Sequence, residues 1–338
     1  MMSHFPILLR RSVLCSSVAI GTRLVAAGAI FALNLMFNHP CAVGQDGEAT
    51  GSYKIETTDT GAIVSRNSEP VAEYLKFSGA KPIFSALYAP SGERLTRSYP
   101  VADALPGEKL DHIHHRSFWF THGEVNGVDF WAETKNHGKI LETDFRTRSE
   151  GDAVVLETEN DWVDASGKKL LSDQRSYKFH DSLGMRAIDC TIQLTAGEEP
   201  VVFGDTKEGS FGVRVAGTMK VDAKKGGKIV SSSGLKDGAT WGKTAEWVDY
   251  YGPVDGKTVG IAILNHPSSY GFPTRWHVRT YGLFAANPFG VHHFTGGAPT
   301  EGVRLEAGNE LTLKYRVLLH QGTTAEAEIA KAWKAYAQ

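Results

Sequence analysis

Met185-Arg-Ala-Ile-Asp-Cys-Thr-Ile-Gln-Leu194 sets Ile188, Cys190, Ile192 and Leu194 against Asp189, Thr191 and Gln193. An extended chain turns successive side chains to opposite faces, so this alternation predicts a half-buried β-strand. The same period of two runs through Tyr53–Thr57, Val71–Phe77, Ala153–Glu159, Arg175–Phe179, Val259–Leu264 and Glu310–His320. Turn signals separate these runs: Ser78-Gly79, Asn126-Gly127, Ser166-Gly167, Lys225-Gly226-Gly227 and Asp255-Gly256. The last lies between two strand-like runs and predicts a hairpin. The one helical pattern is the final element, Thr323 to Tyr336. It opens with a Thr cap and carries Ile329, Trp333 and Tyr336 on one stripe.

Many strands with one helix predict a sandwich or barrel. The β-rich body from Tyr53 to Gln321 is too long for an immunoglobulin-sized sandwich, and no linker divides it. The expectation is all-β: a single large antiparallel two-sheet β-sandwich domain spanning residues 45–338, with a short C-terminal helix.

The first 44 residues contain no acidic residue. They carry Arg10, Arg11 and Arg23, then an apolar run from Leu24 to Phe37. The run is shorter than the roughly 20 residues that span a bilayer. Small residues, Ala42-Val43-Gly44, precede Gln45. This layout predicts a cleaved signal peptide over residues 1–44 and a periplasmic or extracellular protein. Arg10-Arg11-Ser12-Val13-Leu14 also resembles a loose twin-arginine signal, and an uncleaved anchor is the alternative. Removal of the leader changes the formal net charge from −2 to −5. That balance argues against nucleic acid as a partner. It leaves Cys190 as the one cysteine, read as a core thiol with no internal disulfide.

Chemistry concentrates in four segments. Asp111-His-Ile-His-His-Arg-Ser-Phe-Trp-Phe-Thr-His122 holds four of the chain's 13 histidines. Read as a strand, it sends His112 and His114 to one face and His115 to the other. Clustered histidines suit a metal or acid–base work near neutrality. Arg116 suits a carboxylate or hydroxyl pair, and Trp119 and Trp131 suit stacking on a sugar ring. Phe203–Arg214 contains Asp205, Lys207 and Glu208 in a Gly-flanked loop entering a strand. Trp247-Val-Asp-Tyr-Tyr-Gly252 sets Asp249 among aromatic residues. Trp276-His-Val-Arg279 puts His277 and Arg279 on one strand face, a grip for an anion or a hydroxyl. Asn287-Pro288 then starts a turn before His292-His293. No Gly-x-Ser-x-Gly elbow, His-Glu-x-x-His helix, phosphate-binding loop or EF-hand is present.

Together these segments resemble a bacterial family of unassigned function carrying the label "methane oxygenase PmoA" (PmoA-like). The matching pieces are Asp111–Trp119 with Gly123–Trp131, Gly204–Gly209, Trp247–Tyr250, and Trp276–Arg279 with Leu283–Gly290. Ser117 departs from the pattern, which has Gly there. After the leader no apolar segment is long enough to span a bilayer, as the particulate methane monooxygenase subunit itself does. The strand-rich outline is similar to the galactose-mutarotase-like supersandwich. That resemblance implies a His and a carboxylate in a cleft on one sheet face, acting on sugars.

The leading expectation is an exported, carbohydrate-active protein of sugar epimerase, lyase or hydrolase type. Its catalytic candidates are His114, His115, Arg116, His122, Glu208 and His277. Its substrate-binding candidates are Trp119, Asp205, Lys207, Trp247, Asp249, Arg279 and Asn287, with Asp249 also a possible carboxylate partner. The ligand expected is a carbohydrate or another small molecule. One alternative is a copper- or iron-dependent oxygenase, with His112, His114 and another His as ligands. Another is a non-catalytic carbohydrate-binding protein. Sequence alone names no cofactor, metal or oligomeric state.

Overall fold

In the computed structural model, described over residues 52–338, each period-two run forms a strand, and every strand pairing among the described residues is antiparallel. Numbered in chain order, the first eight-stranded sheet runs β1 (Tyr53–Thr58), β2 (Gly61–Arg66), β3 (Glu69–Ser78), β4 (Lys81–Leu87), β5 (Phe118–His122), β11 (Gly209–Arg214), β16 (Leu283–Asn287) and β15 (Arg275–Val278). The second runs β12 (Lys228–Ser231), β13 (Trp247–Val254), β14 (Lys257–Asn265), β18 (Glu310–Gln321), β9 (Met185–Ala196), β8 (Lys169–Ser182), β7 (Ala153–Val163) and β6 (Lys139–Glu150). A two-stranded ribbon joins β10 (Val201–Phe203) to β17 (Val303–Leu305). The predicted leader lies outside the described residues. Among the described residues no helix is long and apolar enough to cross a membrane.

The two large sheets pack face to face. Aromatic rings bridge them: Phe84 and Tyr177 lie 4.9 Å apart edge-on, and Phe211 stacks on Tyr315 at 4.5 Å. Strand β9 behaves as its alternation predicts: Ile188, Cys190, Ile192 and Leu194 are buried in this core. Cys190 is a free, buried thiol, and burial raises its pKa well above the usual value. The Asp255-Gly256 hairpin closes β13 on β14. Both turn residues take positive φ, 49° and 82°, as a two-residue hairpin turn requires.

Two expectations need correction. The C-terminal helix α2 is Ile329–Tyr336, not a helix from Thr323. Thr323 and Glu326 do cap one another: the Thr323 amide and hydroxyl donate to the Glu326 carboxylate. However, Thr324 is drawn aside by a 2.6 Å hydrogen bond to Asp249, and Glu328 adopts a left-handed φ of 49°. The chain therefore makes turns before it settles into helix. Its predicted stripe is real: Ile329 and Ala332 are buried against Trp247, Leu264 and Leu318 on the outer face of the second sheet.

The second correction concerns the His-rich segment. Residues 111–117 are not strand. His112 takes φ 45° and the His115 amide donates to the His112 carbonyl, closing a turn that ends where β5 begins. Ser117, at the position where the resemblance has Gly, adopts φ 61°, a region glycine favours. Its hydroxyl donates to Thr96 Oγ1 at 2.7 Å.

Candidate functional site

The site is built on the outer face of the first sheet. In β5, Phe118 and Phe120 point into the inter-sheet core, so Trp119 points outward. It packs there with Trp131, Ile83, Leu283 and Ala285. Gly212, paired with Trp119 across β11, makes this possible: a Cβ would meet the indole ring at 2.8 Å. Above Trp119 the turn stacks its rings in a column. His115 lies 5.3 Å from Trp119 and 15° from parallel. His112 lies 4.8 Å above His115 at 8°, and Tyr281 lies 5.5 Å above His112 at 12°. His114 packs edge-on against His115 at 4.5 Å.

Two buried arginines hold the turn. Arg97 donates to the carbonyls of Asp111, His112 and His115 and to the Asp111 carboxylate. Backbone carbonyls that no sheet partner covers need such donors. Arg214 donates from Nη1 to His115 Nδ1 at 2.8 Å and from Nη2 to Asp111 Oδ1 at 3.0 Å. Burial lowers its pKa to about 10, so it stays a cation and only donates. His115 Nδ1 must therefore accept, which places the imidazole proton on Nε2. That Nε2–H is buried and has no partner, in a residue only 1% exposed.

His112, His114, His115, Trp131, Lys207, Glu208, His277, Arg279 and Tyr281 line one cavity of about 420 Å³. His277, 3% exposed, presents a second buried and unpartnered nitrogen, Nδ1. Burial lowers the pKa of His114 and of His277 to about 4. Burial, then His114 and Arg214, hold His115 well below its usual value. All three are neutral at neutral pH. Lys207 pairs with Glu208 at 2.9 Å, both side chains partly exposed. Arg279 lies over the rings of Trp241 (5.4 Å) and Tyr281 (5.7 Å).

The structure thus brings His114, His115, His277, Lys207, Glu208 and Arg279 together. It places the other candidates elsewhere. Arg116 forks onto Glu133 (2.7 and 2.6 Å), which also takes the buried Lys81 at 3.3 Å. That triad borders a neighbouring depression of about 400 Å³ lined by Asp111, His112, His114 and Glu133. His122 is fully enclosed: Nε2 donates to the Gly204 carbonyl at 2.8 Å and Nδ1 accepts from Ser210 at 3.2 Å. Burial lowers its pKa to about 4. Trp119 is 2% exposed, so its face is spent on His115 and not free for a ligand. Asp205 accepts from the amides of Val291, His292 and Thr300, which hold its pKa far below the carboxylate range. It anchors the loop around the short helix α1 (His292–Thr295). Asn287 ties that loop to the Thr206 carbonyl. Trp247 and Asp249 belong to the second sheet, beneath α2, where Asp249 binds His320 at 2.9 Å.

Sequence reasoning missed Tyr281, Arg97 and Arg214. Tyr281 was within reach, because it continues the alternation of His277 and Arg279 by one more step. Arg214 ends the quoted Phe203–Arg214 segment, a charge on a strand with apolar neighbours. Nothing local marks Arg97.

The cluster does not suit a metal ion. Among the described residues no three His, Cys, Asp or Glu side chains are placed to hold one. His115 Nδ1 is taken by a guanidinium, and Arg214, Arg97 and Lys81 act unfavourably on any added positive charge at these imidazoles.

No curated protein matches the sequence. Among solved structures, the chain is similar to the GH36 α-galactosidase AgaB from Geobacillus stearothermophilus, at 11% identity and a TM-score of 0.39, covering 80% of this chain and 41% of that one. AgaA from the same organism, solved in complex with stachyose, gives 12% and 0.38, covering 80% and 40%. The chain spans about two fifths of the length of these α-galactosidases. A galactose 1-epimerase from Lactobacillus acidophilus NCFM gives 8% and 0.37, covering 81% of this chain and 99% of that one. Residues 62–334 match the family model of DUF6807, a family of unknown function, and the chain belongs to that family.

Proposed function

We propose that this protein is an exported, carbohydrate-active enzyme that binds a sugar in the His115–His277 cavity. The reading rests on one observation: His115 and His277, each with a buried, unpartnered ring nitrogen, line the same cavity, and His115 has its proton fixed. His115 Nε2–H is a donor that Arg214 prevents from switching tautomer. His277 is neutral as well: burial holds its pKa down to about 4 against Glu208 and the Lys207 backbone. Two neutral imidazoles on one lining, one of them a fixed donor, suit proton transfer at a sugar hydroxyl or ring carbon. The volume is in the range of small-ligand sites, and Tyr281, stacked on His112, is part of the lining. Glu208, also on the lining, is the carboxylate partner within the site. The leader predicted over residues 1–44 would deliver the chain to the periplasm or beyond.

A panel of oligosaccharides, followed by NMR for anomeric change, epimerisation, new reducing ends or unsaturation, tests this. Turnover of a panel member should fall by about a hundredfold or more in His277→Gln, in line with loss of a general base, with the thermal midpoint nearly unchanged. Binding without turnover, lost in Tyr281→Ala, would make the protein a sugar-binding module. No binding and no turnover across the panel would sink the carbohydrate reading.

A further inference from the structure

We propose that the sugar is an acidic one, whose carboxylate, sulfate or phosphate is held by Arg279 and Lys207. This rests on the carbohydrate reading above and narrows it. The argument is the local charge. Arg97, Arg214, Lys207 and Arg279 lie on or directly beneath the cavity lining, against two carboxylates, Asp111 and Glu208. Asp111 is engaged by both Arg97 and Arg214. Glu208 is engaged by Lys207. No carboxylate of the described residues forms an ion pair with Arg279; two aromatic rings fix its position instead. A guanidinium oriented by stacking keeps its N–H edge available for a planar anion.

Of the four lining imidazoles, His114, His115 and His277 are neutral and leave that surplus of positive charge unchanged. The chain as a whole carries a formal charge of −2. The cavity is therefore a local reversal of sign, which favours a small anion over a long polyanion facing the rest of the surface.

The test is calorimetric titration of the protein with an oligogalacturonate, a sulfated galacto-oligosaccharide, a phosphorylated manno-oligosaccharide, neutral galacto- and manno-oligosaccharides of the same length, inorganic phosphate and citrate. At least one acidic sugar should bind about tenfold more tightly than its neutral counterpart. Arg279→Gln should remove that advantage, read as the ratio of acidic to neutral affinity in the same variant. The acidic members also identify which anion is preferred. Should Arg279→Gln fold poorly, Lys207→Gln at a more exposed position makes the same comparison. In the wild type, raising salt from about 0.05 to 0.5 M should weaken acidic binding alone. Equal binding of neutral sugars, insensitive to Arg279→Gln, would overturn the acidic assignment and leave the carbohydrate reading standing. Binding of phosphate or citrate with no sugar bound would overturn both, as would no binding by any probe.

Discussion

Trp119 shows how a residue can be well chosen from sequence and still do a different job. Its indole lies flat under His115 and is closed off by Trp131, Ile83 and Leu283. Its effect on a ligand is indirect: it sets the height and tilt of the imidazole above it. Trp119→Ala would empty a large, enclosed volume, and such truncations cost about 3–5 kcal/mol. We predict a loss of that order in urea-induced unfolding, with the near-ultraviolet dichroism of the ring column changed as well. An unchanged unfolding midpoint together with lost binding would return Trp119 to direct ligand contact. Arg214 has a complementary role. One guanidinium fork selects the His115 tautomer and holds Asp111, so the tautomer of a lining imidazole is set by a residue that does not line the cavity.

Among the elements, legibility followed burial. Strands with one face on the core and one in solvent, such as β9 and β18, alternate cleanly and were readable. In β4, β5, β11 and β16 every residue is buried, because the core covers one face and the site loops cover the other. A strand buried on both sides has no period-two signal. The sheet that carries the site was therefore its least legible part. The His-rich turn was misread as strand for a related reason: its shape depends on Arg97 and Arg214, which are remote in sequence, and no local pattern encodes them. The Trp247–Tyr250 run carried the same composition as a binding platform, yet it serves to dock α2. Asp249 there accepts from His320 and from Thr324, joining β13, β18 and the approach to the helix. Asp249→Asn keeps the shape and removes the charge. It should lower stability by about 1–3 kcal/mol, the range for a damaged buried hydrogen-bond partner, and leave turnover per folded molecule unchanged. A loss of turnover with stability intact would put Asp249 in the chemistry after all.

Across the whole molecule, the buried histidines make stability depend on pH in a direction that can be worked out. His122 and His277 are enclosed in the first sheet and its outer face, and burial lowers each folded pKa to about 4 from an unfolded value near 6.5. Between those two values the unfolded chain binds protons that the folded chain does not. Stability is therefore fully present above about pH 6.5 and is lost as pH falls toward 4, by on the order of 3 kcal/mol for each such residue. His320, on the second sheet, runs the other way. Asp249 raises its pKa against the opposing effect of burial, so its contribution is complete below the unfolded value and fades as pH rises through the folded one. The two sheets thus carry opposite pH dependences, and the histidines around the site outnumber the one beneath α2. Urea midpoints measured from pH 4 to 8 should rise steeply to about pH 6.5 and then level or decline slightly. In Asp249→Asn the decline at the alkaline end should disappear while the acid limb stays in place. An acid limb that vanished in His122→Gln alone would assign the effect to the enclosed sheet strand. A flat profile in the wild type would mean that these imidazoles are not held neutral, which would remove His277 as the neutral base of the proposed chemistry.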